Sequence, residues 1–377
     1  MSKKSKRKKL LAEIKKKENM SFRADLKKPK IVFGLCLYVI LVIILTMLIG
    51  NVWAAICFAL AAYSVLGNDA VQTLMTYIHS NDDLPKKLLF GWVLAVLLGV
   101  LWYGYLVSDG GITYGRLDAK WYAEDLQTPW YFIFFPLLLV ILTRFRGIPV
   151  STSLLMLSLF STGLLFKDIV TKSAAWYVVA FISAYFIWLG AEYILKRIKY
   201  KSKGKKQRKV IFWRVLQTCT TVLLFSTWLM HDMVNIAIFL PRDISLYVML
   251  TISGLFTLAL AYTFHIDGWP VGQIVTSKTK IHRLIGATMV DGVYFIILLI
   301  FKEWSNIPMS TTWVFIWLLA GRQVAIRTVG RVGKIKKKQN KYKLAAQEVG
   351  KDFAKMLFGL AVSLVALVIV RTITGTW

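Results

Sequence analysis

The sequence predicts an all-α polytopic membrane protein: an inverted-topology repeat of transmembrane helices with two broken, re-entrant hairpins meeting at the midplane. Three observations predict it. The 377 residues are 57% hydrophobic and include 14 tryptophans, with a mean hydropathy of +0.58, far from a soluble average. The formal charge of +29 sits in a few blocks that abut apolar stretches. A polar signature also occurs twice, each copy inside hydrophobic sequence, which is how repeat-built membrane carriers read.

Residues 1–30 form a basic tail, helix-prone and without the short apolar core and small-residue cleavage site of a signal peptide. About 20 apolar residues span a bilayer as a helix, and full spans are expected at 31–50, 52–76, 88–107, 174–195, 211–238, 244–265 and 353–370. Two more apolar regions, 129–163 and 284–326, are interrupted by Gly147-Ile148-Pro149 and Asn306-Ile307-Pro308. Each is either two full spans joined by a tight polar turn or a re-entrant hairpin of shorter helices; both return the chain to its side of entry. The domain reading is therefore a first transmembrane half, 31–195, a basic linker, 196–210, and a second, inverted half, 211–377.

With the tail in the cytoplasm, the blocks Lys3 to Lys30, Lys196 to Lys209 and Arg327 to Lys343 all land on that side, as the positive-inside rule requires. The loop 108–128, carrying Asp109, Asp118, Glu124 and Asp125, lands outside. The two interrupted regions then enter from opposite faces, so loop charge alone yields an inverted repeat. The basic blocks carry no interleaved aromatics, which speaks against nucleic acid as a partner; anionic lipid headgroups suit them. Cys36, Cys57 and Cys219 lie in apolar stretches without CxxC spacing and read as packing residues.

The duplicated signature is Gly67-Asn68-Asp69-Ala70-Val71-Gln72 and then Pro149-Val150-Ser151-Thr152-Ser153; in the second half, Met230-His231-Asp232-Met233-Val234-Asn235 and then Pro308-Met309-Ser310-Thr311-Thr312. Asp69 precedes Pro149 by 80 positions and Asp232 precedes Pro308 by 76. A carboxylate in the bilayer core costs several kcal/mol unless paired, by estimates from roughly 2.5 to more than 10. Gln72 and Asn235 lie one helical turn from the acids, on the same face. Carboxylate and amide oxygens suit Na⁺, or a proton neutralises the acid; hydrogen bonding for helix packing is the plain structural alternative. Pro favours the first turn of a helix, so both turns present free backbone N–H groups and the hydroxyls of Ser151, Thr152, Ser153, Ser310, Thr311 and Thr312. Two helix amino-termini facing one another make an anion site, the plain alternative being ordinary caps. Beside two acids, either a cation bridges them to the anion or the anion carries its own proton; in the second case phosphate is favoured, since it donates an O–H to a carboxylate and sulfate has none to give.

These residues resemble the inorganic phosphate transporter (PiT) family. The first run is similar to its Gly-Ala-Asn-Asp-Val-Ala-Asn signature, and the two Pro-x-Ser-Thr turns to its Pro-Val-Ser-Thr-Thr-His hairpin tips, in matching order over roughly residues 52–370. The resemblance implies symport of inorganic phosphate with Na⁺ or H⁺ and no resident cofactor. Cations would be held by Asn68, Asp69, Gln72, His231, Asp232, Asn235 and Asp291, and phosphate by the six tip residues. The family also includes sulfate carriers. Several positions depart from its pattern: Gln72 replaces an amide Asn, His231 replaces Asn, and Leu154 and Trp313 replace the final His of each tip. Asp291, 17 residues before Pro308, is the acid nearest to the family's second-half glutamate. His231 titrates near neutral pH when unperturbed, which tilts the expectation towards protons; a histidine hydrogen-bonded between helices is the other reading. The sequence holds no Walker-type glycine loop, no metal-ligand cluster and no nucleophile–base pair around its four histidines, so neither a membrane enzyme nor an ATP-driven pump is expected. A non-transporting phosphate sensor on the same scaffold remains a competing reading. The cell membrane is the expected location, and a homo-oligomer is compatible with the sequence.

Overall fold

The computed structural model describes residues 28–81, 83–117, 128–145, 148, 150–157, 160, 171, 177–190, 206–265, 284–304, 310–328 and 338–374. Among these the regular structure is entirely helical. Helix α1 spans Pro29–Ile49 and starts with Pro at its first turn, where the missing N–H costs nothing. It stops at Gly50, which takes the left-handed conformation and returns its N–H to the Thr46 carbonyl. Asn51 then caps α2, Val52–Ser80, accepting from the backbone N–H of Trp53 and Ala54 at 3.0 Å each. A Gly-Asn pair thus makes a two-residue break between two spans.

The remaining helices are α3, Lys86–Val107; α4, Phe134–Val140; α5, Tyr177–Gly190; α6, Lys206–Ala237; α7, Leu246–His265; α8, Leu284–Trp304; α9, Thr311–Thr328; and α10, Lys338–Thr374. Among the described residues, five helical stretches are long and apolar enough to cross a membrane: Pro29–Ile49, Val52–Ala70, Lys86–Val107, Val210–Ala237 and Leu246–His265. Shorter apolar stretches lie at Trp130–Thr143, Tyr177–Gly190, Leu284–Ile300 and Leu357–Thr372. The chain is an all-α integral membrane protein, as its sequence predicts. The helices differ from expectation mainly at their ends: α2 runs on to Ser80, α6 begins at Lys206, and the span expected at 174–195 is described only over Tyr177–Gly190.

Helix α2 is the centre of the bundle. Its membrane-length window is 72% buried, against 6% for α1, and it packs on α1, α4, α6, α7, α8 and α9. Helix α6 packs most extensively against α8 and also against α2, so both acid-bearing helices touch. Close approach is visible between α9 and α5, where a Cβ on Gly321 would sit 2.4 Å from the Phe181 carbonyl oxygen. The lipid-facing side of α1 stays apolar and exposed, as at Phe33, Val39 and Met47, which suits a bilayer as solvent.

The two interrupted regions are built differently. The first enters as a 3-10 turn, Trp130–Ile133, continues as α4, and widens into a π-helical turn at Ile141–Phe145. Another π-helical turn, Ser153–Leu157, follows the break. The second consists of two regular helices, α8 and α9. Gly147, Pro149 and the run 305–309, with Asn306 and Pro308, lie outside the described residues.

Candidate transport site

Both hairpin tips end in the same local structure. Ser151 accepts the N–H of Leu154 at 3.1 Å, and Ser310 accepts the N–H of Trp313 at 3.3 Å. Each serine satisfies a backbone donor three residues on, which leaves the neighbouring threonines to reach elsewhere. Ser151, Thr152, Ser153, Ser310, Thr311 and Thr312 are all buried.

The threonines reach the acids. Thr312 Oγ1 donates to Asp69 Oδ1 at 2.6 Å, and Thr311 Oγ1 donates to Asp232 Oδ2 at 2.7 Å. The second tip therefore bridges a carboxylate from each half of the chain. From the first tip, Thr152 Oγ1 accepts from Asn235 Nδ2 at 3.2 Å, while the same amide donates to Asp232 Oδ1 at 3.0 Å. Asn68 Nδ2 donates to Asp69 Oδ1 at 2.6 Å. Tyr294 of α8 donates its hydroxyl proton to the Thr311 carbonyl at 3.0 Å and lies within electrostatic reach of both acids. The two carboxylates, buried to within 1% of full occlusion, also feel each other's charge. One buried layer thus gathers two acids, two amides and three threonine hydroxyls.

Further acceptors complete the layer. The amide oxygens of Asn68 and Asn235 and the hydroxyl of Ser64, one turn before Asn68, are buried without a hydrogen-bond partner. An unsatisfied buried acceptor is costly. Oxygens of this type beside a carboxylate are the ligands that hard monovalent cations take.

Three expected cation ligands stand differently. The side chain of Gln72 lies outside what the structure describes. His231 is buried, and both its ring nitrogens are engaged: Nδ1 by Arg116 Nη1, and Nε2 by the Leu298 carbonyl at 3.2 Å. A carbonyl only accepts, so Nε2 carries the proton and Nδ1 receives one from the guanidinium. Such an imidazole is a bridge between α6, α8 and the loop after α3. Asp291, on α8, is buried too, but it meets α2 two turns beyond Asp69, accepting from Thr76 at 2.5 Å and from Thr221 of α6 at 2.7 Å.

Arg116 is the residue that sequence reasoning missed. It lies on the turn after α3, only 9% exposed, and its charge acts on Asp232. The turn is folded back onto the bundle. Asp109, Gly110, Tyr114 and Gly115 all have positive φ; the Gly110 carbonyl accepts from Ile244 N–H at 3.1 Å; and the Tyr114 hydroxyl donates to the Val100 carbonyl. A Cβ on Gly110 would stand 3.3 Å from the Ile244 carbonyl oxygen, so glycine is needed there for both its conformation and its size.

Comparison with known proteins bears on the fold that carries this arrangement. A solved structure described as "The sodium-dependent phosphate transporter" superposes with a TM-score of 0.53 over 87% of this chain and 96% of that one, at 13% sequence identity. The two share a fold. No protein-family profile and no curated protein matches the sequence, so the likeness lies in architecture, reached through a largely different sequence.

Proposed function

We propose that the protein is a secondary active transporter of inorganic phosphate, coupled to Na⁺ or H⁺. The two inverted halves, 31–195 and 211–377, would alternate access to the buried layer, with the linker 196–210 and the other basic blocks in the cytoplasm. The observation that carries this reading is the meeting of both hairpin tips with both acids. The solved sodium-dependent phosphate transporter of the same fold supports it.

The hydrogen bonds suggest how cation and anion are coupled. A threonine hydroxyl has one proton to donate. While Asp69 and Asp232 act as acceptors, the protons of Thr312 and Thr311 are committed to them. A cation bound at the carboxylates, among the oxygens of Asn68, Asn235 and Ser64, takes over that role and frees both hydroxyls for phosphate. Ser151, Thr152, Ser153 and Ser310 complete the anion-binding group. Cation binding thus raises phosphate affinity, and by linkage phosphate raises cation affinity equally. Asp291 belongs to the cation side of the machinery. His231, held at both nitrogens, acts as a bridge rather than a ligand.

The decisive experiment is uptake of radiolabelled phosphate and sulfate into proteoliposomes with Na⁺ and pH gradients imposed separately. Phosphate accumulation under one gradient is the expected result. Binding without flux would make the protein a sensor, and preference for sulfate would make it an oxyanion permease of the same fold. The orientation has its own test: cysteines at Lys203 and Lys338 should label from the cytoplasmic face and one at Lys120 from outside. Labelling of Lys203 and Lys338 from opposite faces would remove the inverted arrangement.

A further inference from the structure

Below the central layer, towards the end of the bundle where α2 stops and α6 begins, the two helices face each other with polar side chains. Helix α2 carries Asp69, Thr73, Thr76 and Ser80, and α6 carries Gln217, Thr221 and Asp232. These spacings repeat the helical turn, so each set forms a stripe. The stripes are joined by contacts. Asp291 is held between Thr76 and Thr221. One level further, Gln217 accepts from Asn81 Nδ2 at 3.1 Å and donates to Ser80 Oγ at 2.6 Å. Thr218 and Tyr77 meet at 3.4 Å. At the mouth, Arg214 grips both carboxylate oxygens of Asp83, at 3.0 and 2.7 Å, where both side chains reach solvent.

Helix packing in a membrane does not need this. Small and apolar residues suffice for contact, and an intramembrane carboxylate is expensive and marks ion pathways. A seam of hydroxyls and amides has one property that an apolar seal lacks: water or a cation replaces each bond with an equivalent one, so the seam parts at small cost. The Asn81 amide oxygen, buried without a partner, already offers a ligand to whatever enters. From Asp69 to Ser80 the helix rises about 16 Å, roughly half the hydrocarbon thickness.

We propose that this seam is the route by which the coupling cation leaves the central layer for the cytoplasm, and that the Gln217–Ser80–Asn81 clasp is its gate. The inference rests on the proposed transport function and adds the release path and its gating residues.

The test uses the full-length protein with Cys36, Cys57 and Cys219 replaced by serine and Thr73→Cys introduced. Thr73 is buried on the α2 stripe, and its hydroxyl donates within its own helix, to the Ala70 carbonyl at 2.8 Å. A small cationic thiosulfonate reagent is applied from either side of reconstituted vesicles. Labelling from the side of the α6 amino-terminus is expected, and Gln217→Ala should speed it about tenfold, the effect of losing one to two hydrogen bonds from the closed form. Equal rates with and without Gln217→Ala, or labelling only from the opposite side, would overturn the proposal. Asn81→Ala opens the same clasp and gives the same reading should Gln217→Ala fold poorly. Phosphate uptake is measured on the same vesicles. A parent that shows the labelling pattern but carries no phosphate refutes the transport reading, whereas one that carries phosphate without the pattern refutes the seam.

Discussion

The two hairpins present the same tip on different frames. In the first, a 3-10 turn, a short helix and two π-helical turns flank the break; in the second, α8 and α9 are regular to their ends. Yet Ser151 and Ser310 cap their tips with the same three-residue reach. Tip chemistry is therefore set locally, by a serine and the backbone donor it satisfies, and tolerates a change of frame. Both tips reach the acids: the regular one places Thr311 on Asp232 and Thr312 on Asp69, and the irregular one brings Thr152 to Asp69 and to Asn235, which in turn holds Asp232. Widened helical turns cluster at functional sites, and here they flank the break on both sides.

The strongest way to break the comparison is to remove an acid. Asp69→Asn or Asp232→Asn should abolish gradient-driven phosphate accumulation, because a cation drives transport only through its differential affinity for phosphate-binding states. Residual phosphate exchange is compatible with this, since the anion donors come from other segments. An Asp232→Asn protein that still concentrates phosphate to the wild-type ratio would show that the second copy of the signature has no coupling role.

A smaller effect separates the tips themselves. Thr311→Ala and Thr152→Ala should each weaken phosphate binding by about 1 kcal/mol or more at normal expression and folding. Wild-type affinity in both variants would reduce the tips to helix caps. The smallest effect tests the shared cap. Ser151→Ala and Ser310→Ala should lower thermal stability by similar amounts, on the order of 0.5–2 kcal/mol. A loss confined to one hairpin would mean that the frame matters after all.

Much of the fold was legible because its signals are local. Apolar runs marked the spans, and the duplicated acid and Pro-x-Ser-Thr turns pointed to residues that do converge. What stayed hidden depends on distance along the chain. Nothing near Asp69 announces Thr312, 243 positions away, and nothing near Asp291 announces Thr76, 215 positions away. Arg116 was illegible for another reason: a lone arginine in a glycine-containing turn looks like any solvated loop charge until the turn is seen folded inward. Of the two readings of His231, the hydrogen bonds match the one between helices, but its partner, 115 positions off, could not be read from the sequence. The irregular helix of the first hairpin also leaves no mark, because 3-10, α and π turns share the same apolar alphabet.

The inward-folded turn has an electrical consequence. It is clipped to the α6–α7 connection through Gly110 and Ile244 and carries the Arg116 guanidinium down to His231. In the proposed transport cycle, an opening of the bundle on that face would part the clip and carry the arginine with it. A charge that moves through the bilayer's field does work of about 2.3 kcal/mol per 100 mV for a full crossing, and a partial crossing does the corresponding fraction. If the proposed alternating-access cycle holds with this turn on the outer face, its outward-opening step is one that membrane voltage acts upon directly. Its signature is a capacitive current that disappears in Arg116→Gln.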